Sequence, residues 1–133
     1  MMSQENIQAF ERGVEAYNRR DVGPLLEVSH PDIEWHPLTA EVEGGEAFHG
    51  HEGLREWWAK LEATFEEFTV GVEEVRDLGD LVLALGHARL RFRSGGILDT
   101  EAGYLGRFRD GLAVWAQQYP SHAQALEAAG LRE

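Results

Sequence analysis

Apolar residues near the start of the chain recur every three or four positions, as they do on one face of a helix. The residues of this stripe are Ile7, Phe10, Val14 and Tyr17. They predict a helix over roughly residues 4–19. Asp21 is placed to cap a second, short helix, in whose first turn Pro24 is tolerated. The His30-Pro31 pair ends that helix.

A second apolar stripe with helical spacing lies in the middle of the chain. Its members are Leu54, Trp57, Trp58, Leu61 and Phe65. They predict an amphipathic helix with Gly50 and His51 at its N-terminus. Glu52 then lies in the first turn, where a carboxylate complements the helix dipole. Residues 38–50, before the helix, form a connection with a short strand around Ala47 to His49.

A period of two, rather than three or four, predicts a short strand between the second and third helices. This strand is stopped by Pro37. Because side chains alternate along a strand, Ile33 and Trp35 share one side. Glu34 and His36 share the other side.

The second half of the chain predicts longer strands joined by turns. Alternation resumes at Phe68, and the later strands cover Leu81 to Arg93, Ile97 to Arg109 and Leu112 to Tyr119. Asp110-Gly111 is a hairpin signal between the last two strands. Ser121 and Gln124 then form a capping box for a short terminal helix.

The order of these elements indicates the fold class. Helices come first, one helix interrupts the strands, and the strands then follow one another as a meander. Helices segregated on one antiparallel sheet define an α+β fold. A chain of 133 residues suits a single domain, residues 1–133, and no internal repeat is visible.

Composition narrows the classes of partner. The chain has 24 acidic and 12 basic residues, so its net charge of −12 repels nucleic-acid phosphates. It has no cysteine, no signal-peptide pattern and no apolar run of about 18 residues. We therefore expect a cytoplasmic protein that binds neither nucleic acid nor membrane.

One local stripe of basic residues is an exception to the acidic composition of the chain. Arg89, Arg91 and Arg93 occupy alternate positions of a predicted strand and therefore share one face. The simpler interpretation is a solvated strand face, and the alternative is an anion-binding patch.

The histidine pair in FHGHEGLREWW (48–58) is the strongest candidate for a metal site. His49 and His51 resemble the metal motif of cupins, with Glu56 and His87 as further ligands. That motif needs a strand after the pair, whereas residues 53–65 have helical spacing. The pair is therefore interpreted as a turn and helix start, and no metal is expected. No cofactor is expected either, because nucleotide-binding fingerprints are absent. A serine nucleophile elbow is absent too, so no catalytic serine is predicted.

Four segments in a fixed order carry a family resemblance. They are AYNRRDVGPLLEVSHPDIEW (16–35), FHGHEGLREWW (48–58), VRDLGDLVLALG (75–86) and FRDGLAVWAQQYPSHAQALEAAGL (108–131). Through them the chain resembles the nuclear-transport-factor-2-like superfamily, and within it the SnoaL-like, ketosteroid-isomerase-related branch. The resemblance covers nearly the whole chain.

The resemblance implies a cone-shaped fold. In such proteins a strongly curved antiparallel sheet wraps around three N-terminal and central helices, here with a short C-terminal helix added. The cone encloses a deep, mostly apolar pocket, and homodimers commonly form through the sheet. Related proteins include isomerases, polyketide cyclases, dehydratases and epoxide hydrolases, and they act without a cofactor.

The catalytic residues of those enzymes carry over poorly. The position of the isomerase's base falls on His36, and its two oxyanion donors fall near Gly13 and Gly106. The Asp-Arg-Asp arrangement of epoxide hydrolases is not visible, although Asp99 and Arg107 are present. His36 is the remaining candidate for acid–base chemistry, with Glu34 on the same strand face to orient it. The alternative is that His36 merely ends a strand.

Seven aromatic residues are candidates for the pocket wall, although each is also suited to plain core. They are Tyr17, Trp35, Trp57, Trp58, Tyr104, Trp115 and Tyr119. Of the tryptophan pair, Trp57 is the better candidate for the wall and Trp58 for the core. Two functions stay open: proton-transfer catalysis on a small apolar compound, or a non-catalytic ligand-binding or dimerisation module. Apolar residues on both faces of the predicted strand from Leu81 favour a homodimer.

Overall fold

The computed structural model describes residues 2–38 and 47–131. In chain order its elements are α1 (Met2–Arg19), α2 (Val22–Glu27), β1 (Ser29–His36), β2 (Phe48–His49), α3 (Gly50–Thr64), β3 (Phe65–Asp77), β4 (Leu81–Phe92), β5 (Ile97–Arg109), β6 (Leu112–Tyr119) and α4 (His122–Ala128). Residues 39–46 of the predicted connection lie outside the described residues. The predicted α+β class is confirmed.

Local signals in the sequence account for most element boundaries. Asp21 caps α2 by accepting a hydrogen bond from the backbone N–H of Gly23. Ser121 caps α4 in the same way through the N–H of Gln124. The predicted bounds of β5 and β6 are those observed.

Two strands begin earlier than the alternation predicted. β1 begins at Ser29, because the start of the strand already pairs with Ala113 of β6. β3 begins at Phe65, directly after α3, because Phe65 pairs with Phe92 and their rings pack at 4.9 Å. Both earlier starts depend on pairing with residues far away in the sequence. The periodicity within one strand carries no information about such partners.

The six strands form one curved, unclosed sheet in the order β2-β1-β6-β5-β4-β3. All neighbouring strands are antiparallel except β1 and β6, which run parallel. The sheet is therefore mixed rather than wholly antiparallel as the resemblance implied. A parallel pair needs a long connection between its strands, and here that connection contains α3 and the whole β3–β5 meander.

A glycine in β4 allows this strand to approach β3 closely at the bend of the sheet. A Cβ on Gly86 of β4 would lie 2.0 Å from the carbonyl oxygen of Gly71 on β3, so only glycine fits there. The register of the same strand pair shifts between Val72 and Glu74, which marks a bulge. The bend gives the sheet an inner face, toward α1 and α3, and an outer face, toward α4.

Each face of the sheet has its own apolar cluster. The inner cluster joins the helices to the sheet and contains Val82 and Ala84 of β4. The outer cluster contains Leu83 and Leu85 of the same strand, packed with α4. Gly103 lets α4 approach closely, because a Cβ there would lie 2.4 Å from Cβ of Ala125. The apolar residues on both faces of β4 are thus partly covered within one chain.

The helices in the described ranges lack the combination of length and apolar character that crossing a membrane requires.

Candidate functional site

A cavity of about 120 Å³ lies between α1, α3 and the inner face of the sheet. One water molecule needs roughly 10–15 Å³ on this measure, so the space suits a small organic molecule. Aliphatic and aromatic side chains form most of its described wall. They include Phe10 and Val14 of α1, Leu54 of α3 and Phe108 of β5.

Periodicity explains how the aromatic residues come together. The helical stripe of α1 carries Tyr17 to the cavity, and the stripe of α3 carries Trp57. Strand alternation carries Trp35 to the same wall. The Tyr17 and Trp57 rings are nearly parallel with centroids 6.3 Å apart, and Trp35 meets Trp57 edge-on at 5.2 Å. Tyr104 packs against Phe10 with centroids 4.7 Å apart.

The wall contains several hydrogen-bond donors without partners. The indole nitrogens Nε1 of Trp35 and Trp57 are buried and make no hydrogen bond within the described residues. In the same part of the chain no partner is found for the hydroxyls of Tyr17 and Tyr104. Gln118 accepts a hydrogen bond from Leu38 through Oε1 at 2.9 Å, which leaves its NH₂ group as a further donor. An unmet buried donor costs about 1–3 kcal/mol, so a ligand that satisfies these groups gains affinity.

Burial keeps the two tyrosines protonated. It raises the pKa of Tyr17 well above its ordinary value, although the nearby Arg20 partly opposes this shift. Burial raises the pKa of Tyr104 as strongly. Both phenols are therefore hydrogen-bond donors at neutral pH rather than bases.

The Tyr104 side chain fits only because its strand neighbour on the same face is glycine. A Cβ on Gly106 would lie 2.4 Å from the Tyr104 hydroxyl oxygen. Gly106 is the position at which the resemblance placed an acidic oxyanion donor, and here its missing side chain makes room for a tyrosine donor instead.

β1 is oriented so that His36 points away from the cavity, whereas catalysis there would require it to point inward. Ile33 and Trp35 border the cavity, so Glu34 and His36 point to the outer face. Their expected hydrogen bond is present, with His36 Nε2 2.6 Å from Glu34 Oε2, and the His36 ring packs near Trp115. A catalytic role for His36 stays a prediction that this geometry does not support.

The seven aromatic candidates divide between the two faces. Tyr17, Trp35, Trp57 and Tyr104 border the cavity. Trp58 is buried in the core, edge-on to Phe68 at 5.5 Å. Trp115 and Tyr119 join the outer cluster beneath α4. Gln118 also belongs to the wall, although it was not among the predicted residues. The register shift in the β5–β6 pair between Arg107 and Phe108 changes which residues of β6 face inward.

The histidine pair of the cupin-like motif has structural contacts. His49 precedes α3 in extended conformation, in the N-cap position. His51 Nε2 lies 2.7 Å from the carbonyl oxygen of Ser29, which ties the start of α3 to β1. Two residues of the arginine stripe are paired with acids: Arg89 lies 3.5 Å from Asp99, and Arg91 lies 3.7 Å from Glu67. Arg93 instead donates a hydrogen bond to the backbone carbonyl of Glu62.

Within residues 2–38 and 47–131, one group of histidine and acidic side chains could share a metal ion, and it consists of Glu73, His87 and His122. His87 of β4 is also among the residues that border the cavity, and its ring hydrogen-bonds Glu73. No carboxylate belongs to the described cavity wall.

Sequence and structure comparisons agree with this geometry. A family model described as the SnoaL-like domain matches residues 10–116, and the predicted resemblance is thereby confirmed. No curated protein matches the sequence of this chain.

Solved structures share the fold at low sequence identity. An NTF2-like protein of unknown function from Burkholderia pseudomallei has a TM-score of 0.81 and 22% identity, over 92% of this chain and 95% of that one. TerC, co-crystallised with polyporic acid, has a TM-score of 0.80 and 22% identity over 92% and 96%. IdmH, a proposed polyketide cyclase from Streptomyces antibioticus, has a TM-score of 0.72 and 25% identity over 95% and 99%.

Proposed function

The chain belongs to the SnoaL-like domain family, and from this premise we propose that it binds a small, largely apolar compound carrying a neutral oxygen acceptor, such as a cyclic ketone. The compound occupies the cavity between α1, α3 and the inner face of the sheet. That TerC, which has the same fold, was co-crystallised with an organic small molecule supports this class of ligand.

The unmet donors of the wall are the observation that carries the proposal. One space is bordered by all the residues that carry these donors, namely Trp35, Trp57, Tyr17, Tyr104 and Gln118. Ser29, another polar residue of the wall, donates its own hydroxyl to the carbonyl of Leu25 at 2.8 Å. A ligand that matches this wall brings acceptors.

Charge favours a neutral acceptor over an anionic one. The described wall has no lysine or arginine side chain, and the chain as a whole has a net charge of −12. A carboxylate or phosphate would lose its hydration without meeting a cation. A ketone oxygen has a much smaller desolvation cost and accepts two hydrogen bonds.

Catalysis is the second candidate function, and the same donors favour it. Hydrogen-bond donors fixed around a carbonyl stabilise negative charge that develops on its oxygen. An isomerase, cyclase, dehydratase or hydrolase would use them in this way. Binding alone is the better supported function, because the ring of His87, a histidine that borders the cavity, hydrogen-bonds Glu73, and His36 lies on the outer face.

A pair of ligands that differ by one carbonyl tests the proposal. Calorimetric titrations with 1-tetralone and with tetralin give a ketone-to-hydrocarbon affinity ratio for the protein. Trp35→Phe, Trp57→Phe, Tyr17→Phe and Tyr104→Phe each remove one donor and keep a ring. A hydrogen bond contributes about 0.5–1.5 kcal/mol, so losing a donor that contacts the ketone lowers the ratio by about 2- to 12-fold.

Trp58→Phe is the matched control, since Trp58 neighbours Trp57 in sequence but does not border the cavity. It should leave the ratio unchanged. A ratio that stays the same in all four donor variants would show that none of these four donors recognises an acceptor oxygen.

We also propose that the protein forms a homodimer through the outer face of the sheet. Ile97 at the start of β5 lies on the outer face and is 54% exposed, and Trp115 and Tyr119 are only partly covered. Light scattering at micromolar concentration should give a dimer mass, and Ile97→Glu should lower it. A monomer mass for the unaltered protein would contradict this proposal and leave the ligand proposal intact.

A further inference from the structure

Two histidines and two glutamates meet on the outer face of the sheet, where α4 begins. Glu73 of β3, His87 of β4 and His122 of α4 each offer a ligand atom, and these atoms lie within 4.8 Å of one another. Glu101 of β5 adds a carboxylate oxygen 4.0 Å from Nδ1 of His122. We propose that this cluster, called the His–Glu cluster below, binds one Zn²⁺ ion that fastens α4 to the sheet.

The hydrogen bond of His122 prepares its ring for a metal. Nε2 of His122 lies 2.7 Å from the carbonyl oxygen of Gly86. A carbonyl only accepts hydrogen bonds, so Nε2 carries the hydrogen. In the neutral ring Nδ1 then has a free lone pair. Histidines that bind metals usually donate their second ring N–H to a group of this kind, which fixes the tautomer.

His87 and Glu73 offer two adjacent ligand atoms. Nδ1 of His87 lies 2.6 Å from Oε2 of Glu73. An ion that replaces the hydrogen between these two atoms would bind both of them, with the remaining ring hydrogen of His87 on Nε2. The two imidazole rings have centroids 5.7 Å apart and planes at 74° to each other.

The charges around the cluster also suit a cation. Elsewhere on the outer surface, carboxylates are neutralised by arginine: Asp99 pairs with Arg89, and Asp80 pairs with Arg107. Glu73 and Glu101 differ, because their ion-pair partners within the described residues are histidines only. The negative charge of these two carboxylates, which no arginine or lysine neutralises within the described residues, suits a divalent ion.

The donor set indicates which ion fits. Imidazole nitrogen and carboxylate oxygen, without thiolate, are ligands that zinc accepts readily. Zinc–ligand distances of about 2.0–2.2 Å place tetrahedral ligand atoms roughly 3.3 Å apart. The widest observed spacing must therefore shrink by up to about 1.5 Å, whereas Nδ1 of His87 and Oε2 of Glu73, now 2.6 Å apart, must separate slightly. The His87 and Glu73 side chains are 51% and 57% exposed and can make this adjustment. Water completes the coordination.

The position of the cluster determines what the ion would do. It would link β3 and β4 to the first residue of α4, a helix of seven residues that otherwise rests on Ala125 and Leu126. Since the ion binds the folded arrangement, it would raise thermal stability in proportion to the logarithm of its concentration. It would also reduce amide hydrogen exchange in α4.

Zinc titration of the chelator-treated protein tests this inference. Competition with a chromophoric chelator should show one Zn²⁺ per chain. His87→Gln and His122→Gln keep a side-chain amide able to hydrogen-bond, and each should weaken binding at least tenfold. Zinc should also raise the melting temperature and protect α4 from exchange in the unaltered protein, but in neither variant.

His49→Gln is the matched control, because His49 is an exposed histidine outside the cluster. It should bind zinc as the unaltered protein does. Absence of stoichiometric zinc, or full binding by His87→Gln and His122→Gln, would overturn the inference. Because His87→Gln alters an exposed side chain, circular dichroism should show the native fold, so that lost binding reports on the ligand itself.

Discussion

The two faces of the sheet treat their polar groups in opposite ways. On the inner face, the buried indole N–H groups of Trp35 and Trp57 have no partner within the described residues, and Tyr17 and Tyr104 border the same cavity. On the outer face, charged groups form pairs, as Arg107 does with Asp80 at 2.7 Å. Exposed pairs of this kind contribute little to stability. Unmet donors in an enclosed space cost free energy, so a ligand with hydrogen-bond acceptors would bind at the inner face rather than at the outer face.

The largest expected effect is a loss of stability when a side chain is added where β4 approaches β3. In Gly86→Ala the new Cβ would collide with the carbonyl oxygen of Gly71 at 2.0 Å, and backbone cannot yield as a side chain does. We expect urea denaturation to show a loss of about 3 kcal/mol or more. Gly71→Ala is the control, because a Cβ there meets nothing within 4 Å. Equal stability of the two variants would mean that the bend tolerates side chains.

Alkaline unfolding should distinguish the tyrosines of the two faces. The pKa of Tyr17 and of Tyr104 is raised by burial, so the folded state holds these protons more tightly than the unfolded state. Their stabilising contribution is complete below about pH 10, the pKa of an unfolded tyrosine, and falls by about 1.4 kcal/mol per pH unit per tyrosine above it.

Tyr17→Phe and Tyr104→Phe should therefore flatten the fall in stability above pH 10, as measured by denaturation at several pH values. Tyr119 on the outer face is less enclosed, although burial raises its pKa too. Tyr119→Phe should flatten the profile less. An equal effect of all three substitutions would remove the distinction between the faces.

Displacing one donor without deleting it should weaken ketone binding. Gly106→Ala brings a Cβ within 2.4 Å of the Tyr104 hydroxyl and forces that ring to move. We expect about a tenfold loss of 1-tetralone affinity by calorimetry, close to the upper value for one hydrogen bond. Adding Tyr104→Phe to Gly106→Ala should cost little more. Additive losses would mean that Gly106 acts independently of Tyr104.

The smallest expected effect concerns His36. His36→Gln alters a side chain on the outer face that hydrogen-bonds Glu34. Ligand affinity, and turnover if a substrate is found, should stay within twofold of the unaltered protein. A loss of turnover with unchanged affinity would instead make His36 catalytic, and it would require the strand to present its other face to the substrate.

The parts of the fold that depend on local signals were predictable. Helical stripes placed Tyr17 and Trp57 at the cavity, and turn signals gave the bounds of β5 and β6. Facing direction was harder, because alternation says which residues share a side but not which side is inner. That is why His36 was a candidate although Trp35, its neighbour, borders the cavity.

The His–Glu cluster could not be found from spacing in the sequence. Glu73, His87 and His122 are far apart in the chain, and they meet only after β3, β4 and α4 have packed. The β3 bulge between Val72 and Glu74 changes the register beside Glu73, so strand pairing alone does not align it with His87. His49 and His51 were candidate metal ligands because they are close in sequence. In the fold, His49 occupies the N-cap position of α3 and His51 contacts the backbone carbonyl of Ser29.

The parallel pairing of β1 with β6 has a consequence for the order of folding. Contacts between these strands join distant parts of the chain; just beyond β1, Leu38 contacts Gln118 of β6, 80 positions away. Closing so long a loop costs entropy before any contact forms, which slows folding. The hairpins of β3 to β6 need far shorter loops and should form early. The transition state should therefore contain the meander, with β1 adding last and the Trp35 wall of the cavity appearing only with the native state.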